Sequence, residues 1–237
     1  MIGIQQLNLE NRERCRAIVN GPQTKDSITV AVEGNIGSGK STFLQYFKKF
    51  PEVEVIPEPV SKWKDVDGYN TLDLMYKDAS RWSLAFQSYV QLTMAEGHRQ
   101  NKNKSVKMME RSLFSARNCF VENLYRGGLM PEVDYAILSE FYGWITKNED
   151  TNVDLIVYLR ADPEVCQRRI QLRNREEEKG VPIEYLKSLH ALHEDWLIDQ
   201  NKFKLPAPLL VIDANHDIND LYMKFDEAKE EIFAKLS

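Results

Sequence analysis

Residues 34–41 read Gly-Asn-Ile-Gly-Ser-Gly-Lys-Ser, and no other stretch constrains the fold so tightly. The preceding run Ile28-Thr29-Val30-Ala31-Val32 has the composition of a buried strand. The following Thr42-Phe43-Leu44-Gln45-Tyr46-Phe47 reads as the start of a helix. Strand, glycine-rich loop and helix in that order build a phosphate cradle, with backbone N–H groups pointing inward at a helix N-terminus. Lys40 can reach β- and γ-phosphates, and the Ser41 hydroxyl can hold Mg²⁺. The four fixed positions arise by chance in roughly one chain of this length per hundred, at average residue usage. The loop therefore implies a bound nucleoside triphosphate, with Gly34, Asn35, Ile36, Gly37, Ser38, Gly39, Lys40, Ser41 and Thr42 as candidate contacts.

Five short apolar runs, at 28–33, 53–57, 106–110, 154–159 and 208–212, alternate with helical patterns. That alternation predicts an α/β fold: a five-stranded parallel sheet, its strands buried on both faces and flanked by helices. Ligands of such sheets sit at the carboxyl ends of the strands. Glu58 follows the second run, Glu110 and Arg111 the third, and Arg160 the fourth. Charged groups from three strand ends are thus expected around one phosphate loop.

The chain has 237 residues and a net charge of −5, enough length for one large domain and no basic stripe for long nucleic acid. We read residues 28–237 as that domain and 1–27 as a flexible N-terminal arm. Three arginines in residues 11–16 are diluted by Glu10 and Glu13. No run reaches the roughly 18–20 apolar residues of a membrane span. Cys15, Cys119 and Cys166 are odd in number and widely spaced, which fits reduced thiols without a disulfide framework. An intracellular protein follows, cytoplasmic or nuclear, with a mitochondrial location as the alternative.

A phosphate loop with few other features would serve a nucleotide switch. Here the remaining residues fit phosphoryl transfer, which needs positioned reactants and local positive charge. Glu58, stiffened by Pro57 and Pro59, is a candidate base. Arg111 can steady both Glu58 and an accepting hydroxyl, and Glu110 can join the Mg²⁺ shell. Arg169 and Arg173 share a helix face within a segment that also holds Arg175, an arginine-rich lid able to close over a triphosphate. Gln87, Val90 and Met94 share another helix face, where one amide among apolar residues suits a flat heterocycle. Phe86, Phe120 and Trp63 are available to sandwich it. His190, His193 and Glu194 lack metal-ligand spacing, and His98 and His216 show no constellation.

These pieces resemble the deoxyribonucleoside kinases, most of all the insect multisubstrate and mitochondrial thymidine kinase branches. The matching segments are Glu33 to Ser41, Glu58-Pro59-Val60 with Trp63, Leu74 to Asp78, Phe86 to Val90, Glu110-Arg111-Ser112 through Arg117, Tyr158-Leu159-Arg160, the arginine lid, and Leu192 to Leu197. They run in order from about residue 28 to 213. The resemblance implies a P-loop kinase fold, ATP as phosphoryl donor with Mg²⁺, and a homodimer that binds neither nucleic acid nor membrane. It implies that Glu58, aided by Arg111, takes the 5′-hydroxyl proton, and that Lys40 and Arg169 serve the transferring group. Gln87 would pair with the nucleobase, Phe120 stack on it, and Tyr76 and Glu178 meet the sugar 3′-hydroxyl. Relatives favouring deoxycytidine and purines carry arginine and aspartate where this chain has Met94 and Ala116, so the resemblance implies that thymidine is accepted, with deoxycytidine and purines as tolerated alternatives. A nucleoside-monophosphate kinase such as thymidylate kinase is the alternative, as is a non-catalytic nucleotide switch.

Overall fold

In the computed structural model, residues 27–100, 103–175, 178 and 180–236 are described. The expected N-terminal arm and Cys15 lie outside them, Ser27 apart.

Five parallel strands form one sheet: β1 Ile28–Glu33, β2 Val53–Ile56, β3 Val106–Glu110, β4 Leu155–Arg160 and β5 Leu209–Asp213. Their order is β2-β3-β1-β4-β5, with Ile28 opposite Val106 and Val30 opposite Leu155. The phosphate-loop strand is therefore central, and all six of its residues are buried. β5 departs from the expected two-sided burial: only Ile212 of its five residues is buried. Among the described residues it has a neighbour on one side alone, which makes it an edge strand.

Period-two alternation divides the strand residues between two cores. Val30, Val32, Met108, Val157 and Leu159 face α1 (Lys40–Phe47), packing with Phe43, Phe47 and Phe225. Ala31, Ile156 and Tyr158 face the other way, onto Leu189, Leu192 and Trp196. Each fully buried large side chain contributes about 1.5–3 kcal/mol.

After β2 come the short helices α2 (Val60–Lys64) and α3 (Thr71–Lys77), then the 21-residue α4 (Ala79–Arg99). Asp78 caps α4 by accepting from the Arg81 N–H at 3.2 Å. At its far end the buried Lys107 ammonium donates to the carbonyls of His98 (2.6 Å) and Gln100 (2.9 Å), fixing the helix on β3. α5 starts at Leu113–Ser115 behind a Ser112 capping box, widens into a π-helical stretch at Ala116–Val121, and ends as Glu122–Arg126. The widened stretch sends Ala116 and Phe120 toward the cleft and Cys119 into the core. α6 (Glu132–Asn148) packs on α4; α7 is Pro163–Arg173. α8 (Ile183–His193) runs into a π-helical stretch, Glu194–Ile198, and α9 is Ile218–Phe233. A third apolar cluster, of Trp63, Met75, Phe86, Val90, Met94, Leu113 and Ala116, sits apart from the sheet and forms one end of the cleft.

Candidate active site

A cleft of about 1100 Å³ opens along the carboxyl ends of the strands. Its floor is the phosphate loop. Gly34 and Gly37 both have positive φ, 142° and 80°. A Cβ on Gly34 would lie 2.7 Å from the Leu159 carbonyl, and one on Gly37 2.6 Å from that of Cys166, so the loop requires glycine twice over. Ile36, Gly37, Gly39, Lys40, Ser41 and Thr42 line the cleft. Gly34, Asn35 and Ser38 do not: they build the loop. Asn35 accepts from the Ile36 N–H and donates to the Leu186 carbonyl, each at 2.8 Å. Ser38 is buried and offers its carbonyl to Arg169.

The Lys40 ammonium is buried and donates to the carbonyls of Asn35 (2.8 Å) and Gly34 (3.2 Å). Burial, reinforced by the nearby Arg111 charge, lowers its pKa to about 8. The Ser41 hydroxyl donates to Glu110 Oε1 at 2.9 Å. A hydroxyl and a carboxylate beside a phosphate loop are hard oxygen donors of the kind Mg²⁺ takes. Among the described residues no cluster of three or more His, Cys, Asp or Glu side chains exists to hold a metal. Mg²⁺ commonly uses one or two carboxylates together with substrate phosphates, so the pair fits that mode.

Glu58 projects from the Pro57-Glu58-Pro59 segment that follows β2 and is largely buried. Its Oε1 stands 3.0 Å from Arg111 Nε, an ion pair off the straight line of a hydrogen bond. Burial raises the Glu58 pKa; Arg111 opposes that rise and Glu110 adds to it. Arg111 is buried, donates Nη1 to the Gly34 carbonyl at 2.8 Å, and lays its guanidinium 4.6 Å from the Phe120 ring centroid. Its φ is 63°, a left-handed conformation that costs a non-glycine residue about 1–2 kcal/mol.

At the apolar end Trp63 donates Nε1 to Thr93 Oγ1 at 2.8 Å and meets Phe86 edge-on at 5.8 Å. Gln87 lines this wall with Val90, Met94 and Ala116. It is 2% exposed, and its amide oxygen has no hydrogen-bond partner among the described residues. A buried acceptor without a donor is expensive, and a ligand N–H would satisfy it. Tyr76, Glu178 and Tyr185 also line the cleft, near one another. Enclosure of its hydroxyl in the cleft, and then Tyr185 and Glu178, push the phenol of the partly exposed Tyr76 above its ordinary range. Burial pushes Tyr185 up to about 12.

The lid arginines divide. Arg169 donates to the carbonyls of Ser38 (3.2 Å) and His216 (2.8 Å), clamping the phosphate loop to the segment after β5. Arg173 bonds Glu178 through Nε at 3.1 Å and through Nη2, while Arg175 stands 3.6 Å from the same carboxylate. All three arginines line the cleft, as does Arg168.

Arg160 corrects one expectation, since it does not line this cleft. It makes a paired contact with Glu194, at 3.0 and 2.5 Å. Residues 158 and 160 share a face of β4, so Tyr158 reaches the same carboxylate, at 2.7 Å. His193 is buried with Nδ1 against the Leu189 carbonyl, and His98 Nε2 accepts from the Leu113 N–H at 3.2 Å. His216 proves less isolated than its sequence context implied: it lines the cleft and lies 2.9 Å from Asp213 Oδ2.

Three features escaped the sequence reading. Glu33 is a buried carboxyl at the end of β1. Tyr185 carried no motif. Asn215, His216, Asp217 and Ile218 follow β5, and the strand-end rule, applied to the fifth strand as to the others, would have found them.

A phosphate loop on the central strand of a parallel sheet, opening into a cleft with a carboxylate–arginine pair, defines a P-loop phosphotransferase. The sequence model for deoxynucleoside kinases matches residues 30–237. Human mitochondrial thymidine kinase 2 is 54% identical over 203 residues, 86% of this chain and 77% of that protein. The Macaca fascicularis counterpart is 53% identical over the same length. Human deoxycytidine kinase is 35% identical over 237 residues, 87% of this chain and 91% of that one. The chain belongs to the deoxynucleoside kinase family.

Proposed function

We propose that this deoxynucleoside kinase moves the γ-phosphoryl group of Mg-ATP to the 5′-hydroxyl of thymidine and deoxycytidine, with purine deoxynucleosides as slower acceptors, in nucleotide salvage. The observation that carries the acceptor assignment is Gln87: one buried amide whose oxygen has no partner among the described residues, on an otherwise apolar wall. Such a wall takes a flat base whose edge offers an N–H. Met94 and Ala116 leave room for a thymine methyl and present no charge to it. Phe120 and Phe86 flank the ring, and Trp63 backs Phe86.

The proposed chemistry follows from the floor. Glu58 accepts the 5′-hydroxyl proton as the oxygen attacks the γ-phosphorus. Burial raises its pKa, which makes it a better base, and Arg111 opposes the rise. Arg111 steadies that carboxylate and the hydroxyl. Lys40 holds the β- and γ-phosphates, and Arg169, Arg173 and Arg175 meet charge on the moving group. Ser41 and Glu110 would hold Mg²⁺, which neutralises the phosphate oxygens. Tyr76 and Glu178 bind the sugar 3′-hydroxyl. A monophosphate acceptor would bring a second anion to Glu58, which favours a nucleoside over a nucleotide.

The protein is incubated with Mg-ATP and, separately, thymidine, deoxycytidine, deoxyadenosine, deoxyguanosine, uridine and thymidine monophosphate. We expect monophosphates from the deoxynucleosides, thymidine leading and uridine poor. Product from thymidine monophosphate alone would overturn the roles of Glu58 and Arg111.

We read residues 28–237 as one working unit and the enzyme as a homodimer. α6 exposes Val133, Ile137, Phe141 and Trp144, spaced to share a face, and its neighbour α4 exposes Leu92. Light scattering on wild type and Trp144→Glu tests this, with a shift toward monomer expected. Among the described residues no helix is long and apolar enough to cross a membrane. For compartment we keep the intracellular reading, cytoplasmic or nuclear against mitochondrial. A fluorescent tag at the C-terminus of the full chain decides between them.

A further inference from the structure

Three consecutive residues, the last two of β1 and the first of the phosphate loop, grip Arg111 and the turn that carries it. Val32 offers its carbonyl to the Arg111 N–H at 2.9 Å. Glu33 offers Oε1 to the Ser112 hydroxyl at 2.5 Å. Gly34 offers its carbonyl to Arg111 Nη1 at 2.8 Å. Two of these holds come from main chain and would survive most substitutions. The third depends on one side chain.

Glu33 is an unusual occupant of its position. It is 0% exposed and sits on the same face of β1 as Ala31, where the surrounding core is apolar. It does not line the cleft, so no substrate reaches it. Its second carboxyl oxygen has no hydrogen-bond partner among the described residues. An enclosed carboxyl with half its acceptors unmet is a poor packing residue, and an aliphatic side chain there would avoid the burial penalty. What it does have is Ser112. That hydroxyl also accepts from the Ser115 N–H at 3.4 Å, and Ser115 Oγ accepts from the Ser112 N–H at 3.3 Å. The carboxyl is thus joined to the first turn of α5 directly beside Arg111, whose left-handed φ is not a conformation the residue prefers.

We infer that Glu33 is a positioning residue: through Ser112 it fixes the left-handed turn at Arg111 and so holds the guanidinium against Glu58. The inference rests on the acceptor-side roles proposed above for Glu58 and Arg111. Reacting groups lose rate steeply with misplacement, and a shift of about 1 Å can lower it about 100-fold. Losing this bond removes no side chain from the cleft lining but frees the turn that carries Arg111, so turnover suffers more than binding.

The test uses full-length Glu33→Ala, Glu33→Gln, Ser112→Ala and Arg111→Ala, with kcat and KM for thymidine and ATP, and melting curves to confirm folding. Glu33→Ala should lower kcat about 10- to 100-fold, with each KM within about threefold of wild type. Glu33→Gln, which can still accept from the Ser112 hydroxyl, should recover most of that loss. Glu33→Ala and Ser112→Ala combined should cost less than the sum of the two, since both cut the Glu33–Ser112 bond, while Ser112→Ala also removes the cap on the Ser115 N–H. Wild-type kcat in folded Glu33→Ala, or a loss in Glu33→Gln equal to that in Glu33→Ala, overturns the inference. If Glu33→Ala does not fold, Ser112→Ala decides, and wild-type kcat there overturns it. Arg111→Ala separates the two levels. Wild-type turnover in it removes Arg111 from the mechanism. A crippled Arg111→Ala beside a fully active Glu33→Ala removes only the positioning role.

Discussion

The floor of the cleft and its rim hold positive charge in opposite ways. On the floor, Lys40 and Arg111 are buried and donate to main-chain carbonyls of the loop itself. On the rim, Arg173 and Arg175 are 31% and 49% exposed and share one carboxylate, Glu178, a few residues along the chain. Main-chain oxygens at the end of a central strand cannot move without the sheet. A side-chain carboxylate on a short connection can, and a phosphate oxygen is an equivalent partner for its arginines. Folding therefore fixes the floor before substrate arrives, while the rim is paired in a manner that ligand can exchange.

The largest test of that contrast is Glu58→Gln. A positioned general base is worth roughly 10²–10⁴ in rate, so turnover should fall by that amount while ATP binding, measured by calorimetry, stays near wild type. Wild-type turnover would remove Glu58 from the floor's chemistry. Next comes the apolar wall. Met94→Arg with Ala116→Asp should lower thymidine turnover relative to deoxycytidine by about tenfold or more, the usual worth of a pocket contact. An unchanged ratio of kcat/KM values would show that these residues do not meet the base.

A third test concerns the burial of the floor. Burial raises the Glu33 pKa from 4.5 to about 7, against the opposing influence of the Ser112 and Ser115 hydroxyls and the charges of Arg111 and Lys40. Between those values the folded protein keeps a proton that the unfolded chain has released. Glu33 thus lowers stability as pH rises through that window, by about 3 kcal/mol in all. Buried His98 and His193, held down to about 4 and about 3, tilt the curve the other way up to their unfolded value near 6.5. The informative quantity is the difference between curves: urea stability of Glu33→Gln minus wild type should rise from pH 5 to pH 8. A flat difference would mean that Glu33 does not titrate there. The smallest effect is expected on the rim. Arg173→Gln should change stability by less than about 1 kcal/mol, as partly exposed pairs do. A larger loss would show that the rim is as fixed as the floor.

Much of this architecture was legible in residue order. The five apolar runs became the five strands within one or two residues, because strands of a parallel sheet covered on both faces are largely apolar. The loop at 34–41 was legible because phosphate binding demands small residues at fixed spacing. Arg160 failed for a physical reason: a strand-end rule locates the edge of the sheet, not the face toward which a side chain points. Glu33 failed because nothing in the sequence distinguishes a buried carboxyl from a solvated one. Its partner Ser112 is 79 residues away, and only the pairing of β1 with β3 brings them together. The split between Arg169, tied to two carbonyls, and Arg173, tied to Glu178, was equally invisible, since both occupy one helix face.

The Gly34 carbonyl accepts from both Lys40 and Arg111. One oxygen atom is therefore common ground between the group proposed to grip the donor and the group proposed to prepare the acceptor. A ligand that draws Lys40 away changes the electron demand on the atom that anchors Arg111. Whatever factor links the two sites must then be the same read from either side: if nucleotide tightens nucleoside binding, nucleoside tightens nucleotide binding equally.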